Sequence, residues 1–577
     1  MNILSKLLNF LLLQNFSKIL RLSLLVAMIS LVAIPSVAQE SGVLATKADS
    51  LRGSITPQRA WWDVVYYDLN VTIQPQDSAI TGYNNITYRV EKAPRQMQID
   101  LQDPLQIDQV KQNGKSLSFH RVKNSYAYMI DVPSDLKKDS LYTLSVYYHG
   151  RPKVAQNPPW DGGFIWAQDS LDNNWVATAN QGLGASVWWP NKDHQTAEPD
   201  SMSINITVPD PMVNVSNGRL RDTTHHDNGM TTWSWFVSNP INNYNVAVNA
   251  GNYVNFTKTF DGKKGPLDLS YWVLKQDLDK AKKQFQQVKP MMRCFEDWFG
   301  AYPFYEDSFK LVQTPHLGME HQSAVAYGNG FKNGYMGEDL SGTGWGLKWD
   351  FIIIHESGHE WWGNNITGKD IADMWVHEGF TSYSESIYTE CRFGKEAGAE
   401  YSRGLRSRIQ NKTPITGKYG LNNEGSGDMY YKAHNMLHMI RQIVANDSTW
   451  KHILRGLQNE FHHQTVTADQ VERYIIEHSG KDLDDVFDQY LHYADIPSFQ
   501  YKIKEGVLHY RWKADVSQFD MPLEATLNDT SSYEFIYPTS DHWKRAELKL
   551  DEPADFSVNP NYYIKKDNVQ KPDTLNR

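Results

Sequence analysis

Apolar and polar residues alternate along much of residues 66–253, and this period of two predicts β-strands. Turn-forming residues separate the alternating runs. We therefore expect an N-terminal β-rich domain over residues 60–255. Representative apolar sets are Tyr67, Leu69, Val71 and Ile73; Tyr142, Leu144, Val146 and Tyr148; and Met202, Ile204, Ile206 and Val208.

The apolar spacing becomes that of helices after Pro266, and strand-like alternation returns near Phe499. The first predicted helix should bend at Pro290. The chain is thus predicted to be a multidomain α+β protein, with a mostly helical second domain over residues 256–496. A small C-terminal β-sandwich should cover 497–565, before a polar tail at 566–577 without regular structure. The predicted helices are 277–299, 350–362, 373–393, 430–444, 449–461 and 468–478.

The first residues have the pattern of an export signal. Lys18 and Arg21 precede an apolar run at 22–34, and small residues lead to Ala38. The run is shorter than the roughly 20 residues that span a membrane. We expect a signal peptide at 1–38, cleaved after Ala38, and an exported protein, periplasmic or secreted, without a stable membrane span. An uncleaved anchor is the alternative.

Composition narrows the function classes. The chain has 577 residues, is 40% hydrophobic and carries a net charge of −10, so it is globular and acidic. It contains no long basic run, which argues against nucleic acid as a partner. Cys294 and Cys391 are its two cysteines. We interpret them as buried thiols, although an exported protein could pair them.

Candidate chemistry centres on His355-Glu356-x-x-His359. Helical spacing puts the two histidines on one face, where their ring nitrogens can bind one Zn²⁺. Glu356 can then take a proton from a metal-activated water. The alternative is a pair of surface histidines. His434 and His438 have the same spacing without a following glutamate, and we interpret them as packing or surface residues.

A catalytic zinc needs a third protein ligand from elsewhere in the chain. Glu378 follows His359 after 18 residues and lies on the next predicted helix. Glu385, two turns further, could orient a ligand imidazole from behind. A buried or capping role is the alternative for Glu378.

The two stretches HESGHEWWGNNIT and DMWVHEGFTSYSE resemble the core of the gluzincin aminopeptidases, the aminopeptidase N family that includes leukotriene hydrolase. The resemblance implies one Zn²⁺ held by His355, His359 and Glu378. It also implies a thermolysin-like catalytic domain between a β-rich domain and a small β-sandwich.

Further roles follow from the same resemblance. In Leu317-Gly318-Met319-Glu320-His321, similar to the family's Gly-x-Met-Glu-Asn, Glu320 should bind the free α-amine, with Gly318 and Met319 lining the substrate site. Gln181, in a Gly-rich loop, should contact the same amine. Tyr430 should donate to the oxyanion, with Asp428 capping its helix, and Tyr431 is the rival assignment. The family's Gly at position 433 is alanine here.

The sequence therefore predicts a zinc aminopeptidase acting on peptides with a free N-terminus. Three alternatives stay open: an endopeptidase on the same zinc core, an epoxide hydrolase, and a non-catalytic peptide-binding scaffold.

Overall fold

The computed structural model describes residues 45–569, so the predicted signal peptide lies outside the described residues. The N-terminal half is β-rich, as predicted, with strands that alternate buried and half-buried residues. Among the described residues, one short helix precedes them. The elements are α1 (Lys47–Gly53), β1 (Trp62–Gln74), β2 (Ala79–Val90), β3 (Met97–Asp100), β4 (Gln106–Gln112), β5 (Lys115–Ser116), β6 (Phe119–Arg121), β7 (Ala127–Ile130), β8 (Leu141–Gly150), β9 (Gly163–Gln168), β10 (Asn174–Ala179), β11 (Ser201–Pro209), β12 (Val213–Val215), β13 (Arg219–His226), β14 (Met230–Val237) and β15 (Asn249–Gly251).

These strands form three sheets. The largest has the order β13-β14-β11-β1-β2-β8-β4-β5, and two smaller ones run β12-β15-β10-β9 and β3-β7-β6. In the large sheet β1 pairs parallel with β11 and antiparallel with β2. The inward faces form one apolar core that includes Trp61, Trp188 and Trp189. The loop that follows β10 carries Gln181.

The middle of the chain is mostly helical, and its apolar core continues into the C-terminal part. Its elements are β16 (Tyr253–Gly262), β17 (Gly265–Leu274), α2 (Leu278–Gln284), α3 (Val288–Phe299), β18 (Phe309–Gln313), β19 (Gly318–Met319), β20 (Val325–Tyr327), α4 (Phe351–Gly358), β21 (Ile366–Gly368), α5 (Trp375–Phe393), α6 (Lys395–Gly404), α7 (Asp428–Val444), α8 (Asp447–Glu460), β22 (Gln464–Val466), α9 (Ala468–Ser479) and α10 (Asp484–His492). A five-stranded sheet, β16-β17-β18-β20-β19, ends at β19 as its edge strand.

The C-terminal part is β-rich again. It contains β23 (Ser498–Lys504), β24 (Val507–Lys513), β25 (Leu523–Ala525), β26 (Glu534–Ile536), β27 (Lys544–Glu547) and β28 (Lys565–Asn568), in sheets β27-β24-β23-β28 and β25-β26. β28 pairs with β23. The predicted polar tail is therefore wrong at its start, because backbone pairing makes residues 565–568 a strand. The limits predicted for the domains remain predictions.

Two predicted helices differ from those observed. The helix expected over 277–299 is two helices separated by a 3₁₀ turn at Phe285–Gln287. Pro290 does not bend a continuous helix; it sits in the first turn of α3, where no backbone N–H is needed. The helix expected over 350–362 ends at Gly358 because the following bonds tighten to the i→i+3 pattern, as from Trp361 N to Gly358 O (3.1 Å). None of the helices within residues 45–569 is long and apolar enough for a membrane crossing.

Cys294 and Cys391 form a disulfide, so the interpretation as buried thiols is wrong. The Cα atoms are 6.1 Å apart, and the bridge joins α3 to α5 across 97 positions of sequence. The helical packing of α3 against α5 brings together two residues that no local sequence pattern relates.

Removing this bridge should lower stability. A Cys294→Ser/Cys391→Ser double variant is expected to lose about 4 kcal/mol of unfolding free energy, since a crosslink closing so long a loop restricts the unfolded chain. Chemical unfolding of the variant and of oxidised and reduced wild-type protein would measure this. Equal midpoints for the oxidised and reduced wild type would contradict the prediction.

Candidate active site

The helix α4 begins the site. The Asp350 carboxylate caps it by accepting hydrogen bonds from Ile352 N (3.2 Å) and Ile353 N (3.4 Å). The apolar run that follows is buried, and it fixes the helix against the five-stranded sheet and α5. His355 is one turn from His359, which is the C-cap, and their ring centroids are 5.1 Å apart.

A hydrogen bond at Nδ1 orients each of the two histidine rings. His355 Nδ1 donates to Glu385 Oε1 at 2.7 Å, and His359 Nδ1 donates to the Trp362 carbonyl at 3.0 Å. Tyr401 donates to the other oxygen of Glu385 at 2.6 Å. In the neutral ring, these bonds put the N–H on Nδ1 and leave a lone pair on Nε2, the nitrogen that faces Glu378.

Glu378, in the first turn of α5, completes the group. Its Oε2 lies 3.6 Å from His355 Nε2 and 3.4 Å from His359 Nε2. Within the described residues this buried oxygen has no hydrogen-bond partner. Two imidazole nitrogens and a carboxylate oxygen, all buried, match the donor set that Zn²⁺ takes in hydrolytic sites. The residues fit such an ion.

The charges of this group stabilise one another. Burial opposes ionisation of Glu378, but His359 and His355 beside it lower the pKa of its carboxyl overall. Burial likewise disfavours the charged imidazoles, yet the carboxylates of Glu378 and Glu385 raise the pKa of His355. The pocket is therefore built to hold a cation against its carboxylates.

Glu356 lies beside His355 on α4 and faces the same cleft. Burial raises the pKa of its carboxyl to about 7, against the opposing effect of His355. Gly318 packs directly over it: a Cβ on Gly318 would stand 2.7 Å from Glu356 Oε1. Any larger residue at position 318 would therefore displace the side chain of Glu356 or of Ile352.

Glu320 follows the edge strand β19 and approaches the metal-binding group. Ligand atoms of Glu320, His359 and Glu378 lie within 4.8 Å of one another. Glu320 Oε1 has no hydrogen-bond partner among the described residues, and burial raises the pKa of this carboxyl. Asn364 donates to the Glu320 carbonyl at 2.9 Å and fixes its backbone. Met319 is buried beside it in the cleft wall.

Gln181 reaches the site from the β-rich half. Its Nε2 donates to Glu378 Oε1 at 2.6 Å. The Gln181 side chain therefore contacts the predicted metal ligand. It holds Oε1 of Glu378, while Oε2 of the same carboxylate faces the two histidines.

Two neighbouring tyrosines line the cleft at the start of α7. The Tyr430 ring stacks 6.3 Å from the His355 ring. Burial and the nearby carboxylates of Glu378 and Glu320 raise the pKa of Tyr430, so its hydroxyl stays protonated. Burial raises the pKa of Tyr431 as well, and the Glu385 carboxylate adds to the increase. Both tyrosines therefore line the cleft as neutral phenols, and the choice of Tyr430 over Tyr431 stays a prediction.

Asp428 has a different role from the predicted one. It does not cap α7, where Gly427 is the N-cap. Its carboxylate instead accepts bonds from Gln410 N (2.8 Å) and Asn411 N (2.7 Å). The buried Asp428 side chain therefore holds the loop that precedes α7.

Two family models match the chain, one in its β-rich part and one in its helical part. The Peptidase M1 N-terminal domain matches residues 64–244, and the Peptidase family M1 domain matches residues 284–490. The chain belongs to peptidase family M1. The resemblance found in the two motif stretches is thereby confirmed.

Curated M1 relatives are distant in sequence. Glutamyl aminopeptidase of Rattus norvegicus is 20% identical over 545 residues, 86% of this chain and 55% of the relative. Aminopeptidase B of Homo sapiens is 22% identical over 293 residues, 48% of this chain and 42% of the relative. This M1 peptidase thus spans about half the length of relatives that it matches over most of its own sequence.

Solved structures share the fold. A mutant M1 zinc metallopeptidase from Deinococcus radiodurans, bound to a Tyr-Ser-Ala substrate, superposes with a TM-score of 0.63 at 18% identity, covering 77% of this chain and 97% of that one. A two-domain M1 zinc metallopeptidase mutant bound to L-tryptophan gives 0.64 at 18% identity, covering 75% and 95%. The β-rich and helical arrangement of this chain is therefore the M1 fold.

The departures from the family motifs have distinct surroundings in this M1 peptidase. Ala433 on α7 packs against α5: a Cβ on Gly379 would stand 2.7 Å from the Ala433 Cβ. Leu317 lines the cleft. His321 is fully buried, neither ring nitrogen has a partner among the described residues, and burial lowers its pKa to about 3. His434, by contrast, is a packing residue, as predicted, bonded to Ser386 and Ser402 at 2.9 Å.

The cleft also contains residues that the sequence did not single out. It encloses about 860 Å³ and extends from the metal-binding group past Arg52, Trp160 and Glu424. Arg52 lies on α1, ahead of the predicted first domain, where no motif signals a role. Trp160 and Glu424 lie in loops whose positions depend on distant contacts.

Proposed function

We propose that this M1 peptidase is a zinc-dependent aminopeptidase that removes the N-terminal residue from peptides. The observation that carries the proposal is the position of Glu320, within 4.8 Å of the His359 and Glu378 ligand atoms and with Oε1 unpartnered in the described residues. A carboxylate beside the metal can pair with the ammonium of a chain end. The scissile bond is then one residue from that end. The names of the matching relatives, glutamyl aminopeptidase and aminopeptidase B, support this assignment.

His355, His359 and Glu378 would hold the zinc. When bound, the ion supplies Lewis acidity that polarises the scissile carbonyl and lowers the pKa of a water molecule. Gln181 and Glu385 hold Glu378 and His355 in orientation through bonds of 2.6 and 2.7 Å. This support keeps the ligand atoms in place.

Protons move through Glu356. Its carboxylate takes a proton from the attacking water and passes it to the leaving amine. The Tyr430 hydroxyl donates a hydrogen bond to the oxyanion of the tetrahedral intermediate. The edge strand β19, with Gly318 and Met319, offers backbone groups along which an extended peptide can lie.

We also propose that the protein is exported, to the periplasm or outside the cell. The signal-like pattern at residues 1–38 and the Cys294–Cys391 bridge support this location, since disulfides persist in oxidising compartments.

A panel of aminoacyl arylamides tests the activity. The protein should release arylamine from at least one of them, lose that activity with a zinc chelator and regain it with added Zn²⁺. A peptide of the same sequence with an acetylated N-terminus should stay intact, because it has no ammonium for Glu320. Cleavage of the acetylated peptide at internal bonds would instead indicate an endopeptidase.

A further inference from the structure

We infer that Arg52 recognises a carboxylate on the substrate and so selects short peptides with a free C-terminus or peptides with an acidic side chain. The inference rests on the proposed aminopeptidase function and adds a specificity-determining residue to it. Arg52 lies on α1 and lines the same cleft as His355, His359 and Glu378.

Arg52 is a basic side chain in a cleft that is lined mainly by acidic ones. Five carboxylates line it: Asp161, Glu320, Glu356, Glu378 and Glu424. Among the described lining residues, Arg52 is the one arginine or lysine. A cleft so acidic attracts the ammonium end of a peptide and repels its carboxylate. A peptide short enough to place both ends inside therefore needs a cation at the second end.

The loop after β10 links Arg52 to the metal-binding group. Arg52 Nη2 donates to Gly182 O at 2.6 Å, while the neighbouring Gln181 donates to Glu378 at 2.6 Å. One peptide unit and one glutamine side chain separate the two bonds, so Arg52 lies within about 16 Å of Glu378, a distance that at most about five extended residues span. The acid-binding position is thus within reach of a short peptide whose amine is near Glu320.

Arg52 is held in place on several sides. Its carbonyl accepts a bond from Arg59 Nη1 at 2.8 Å, and the Leu51 carbonyl accepts one from Gln98 at 3.1 Å. On the opposite side Asn422 N donates to the Asp49 carbonyl at 3.2 Å. The end of α1 is therefore fixed between the β-rich half and the loop before α7. The guanidinium uses one N–H for Gly182 and lies near the carboxylates of Asp193 and Glu424. The other N–H groups of its planar fork can bind a further carboxylate.

The test compares free-acid and C-terminally amidated peptides of two to eight residues. Wild-type protein should show a KM about 10-fold lower for acids than for amides among peptides of up to five residues, since a hydrogen bond to a charged group has that worth. Longer peptides should show no difference. Arg52→Gln should raise the KM of the short acids to that of the amides with little change in kcat, and Arg52→Lys should restore part of the difference.

Matched arylamides separate the two sources of the carboxylate. The KM of the glutamyl arylamide is compared with that of the glutaminyl arylamide. If the glutamyl value is lower and Arg52→Gln abolishes this difference, the side chain of the N-terminal residue supplies the carboxylate that Arg52 binds. Lys47→Gln, an exposed change on the same helix, should alter none of these values. Equal KM values for acid and amide and for both arylamides would overturn the inference. So would an equal loss in Arg52→Gln on every substrate. Failure of the wild type on neutral arylamides would instead overturn the proposed function.

Discussion

Glu356→Gln is expected to retain zinc and to lose nearly all turnover. The amide keeps the size and the contact with Gly318 but cannot accept the proton of the attacking water. General base catalysis is worth roughly 10²–10⁴-fold, so kcat should fall by at least about 100-fold. Zinc content per chain and kcat on the best arylamide would be measured together.

The control is Glu477→Gln, an exposed glutamate on α9 that has no contact with the cleft. It should keep wild-type zinc content and rate. A Glu356→Gln protein that turns over at the wild-type rate would show that another group carries the proton.

Glu378→Gln should reduce zinc affinity by more than about 100-fold. Replacing a residue that only hydrogen-bonds to a metal ligand already lowers metal affinity by roughly 10–100-fold, and Glu378 is a predicted ligand itself. The neutral amide removes the charge that faces both Nε2 atoms and weakens the oxygen donor. Gln181 would still have an oxygen within reach, so the fold around α5 should persist. Competition with a chelator of known affinity would measure the change, and circular dichroism would check the fold.

Glu385→Gln is the graded comparison for this variant. It weakens the bond that orients His355 and leaves all three ligands present. Its loss of zinc affinity should fall between those of wild type and Glu378→Gln. Equal affinity for zinc in Glu378→Gln and wild type would show that a different residue completes the metal site.

The local features of the site could be read from sequence because each depends on short-range geometry. The spacing of His355 and His359 is a property of one helical turn, and Glu378 begins the next helix. The β-rich and helical regions were likewise visible in their apolar periods. The end of α4 at Gly358 could not be predicted in this way. The tight turns that end the helix lie where apolar residues continue, at Trp361 and Trp362.

The missed features of the cleft and of the disulfide come from contacts between distant parts of the chain. Gln181 and Glu378 are 197 positions apart, and Arg52 and Gly182 are 130 apart. Cys294 and Cys391 pair only because α3 lies against α5. No periodic pattern encodes such pairs, so a single sequence predicts the chemistry of the metal group better than the walls of its cleft.

The close contact between Gly379 and Ala433 limits how this cleft can change. α5 carries Glu378 and α7 carries Tyr430, and at this contact the helices meet with no side chain larger than a methyl group between them. Any larger residue at either position would move the carboxylate and the phenol apart together. We therefore expect substrate preference to vary through the segments around Arg52 and Trp160. The spacing of α5 and α7 cannot change in small steps.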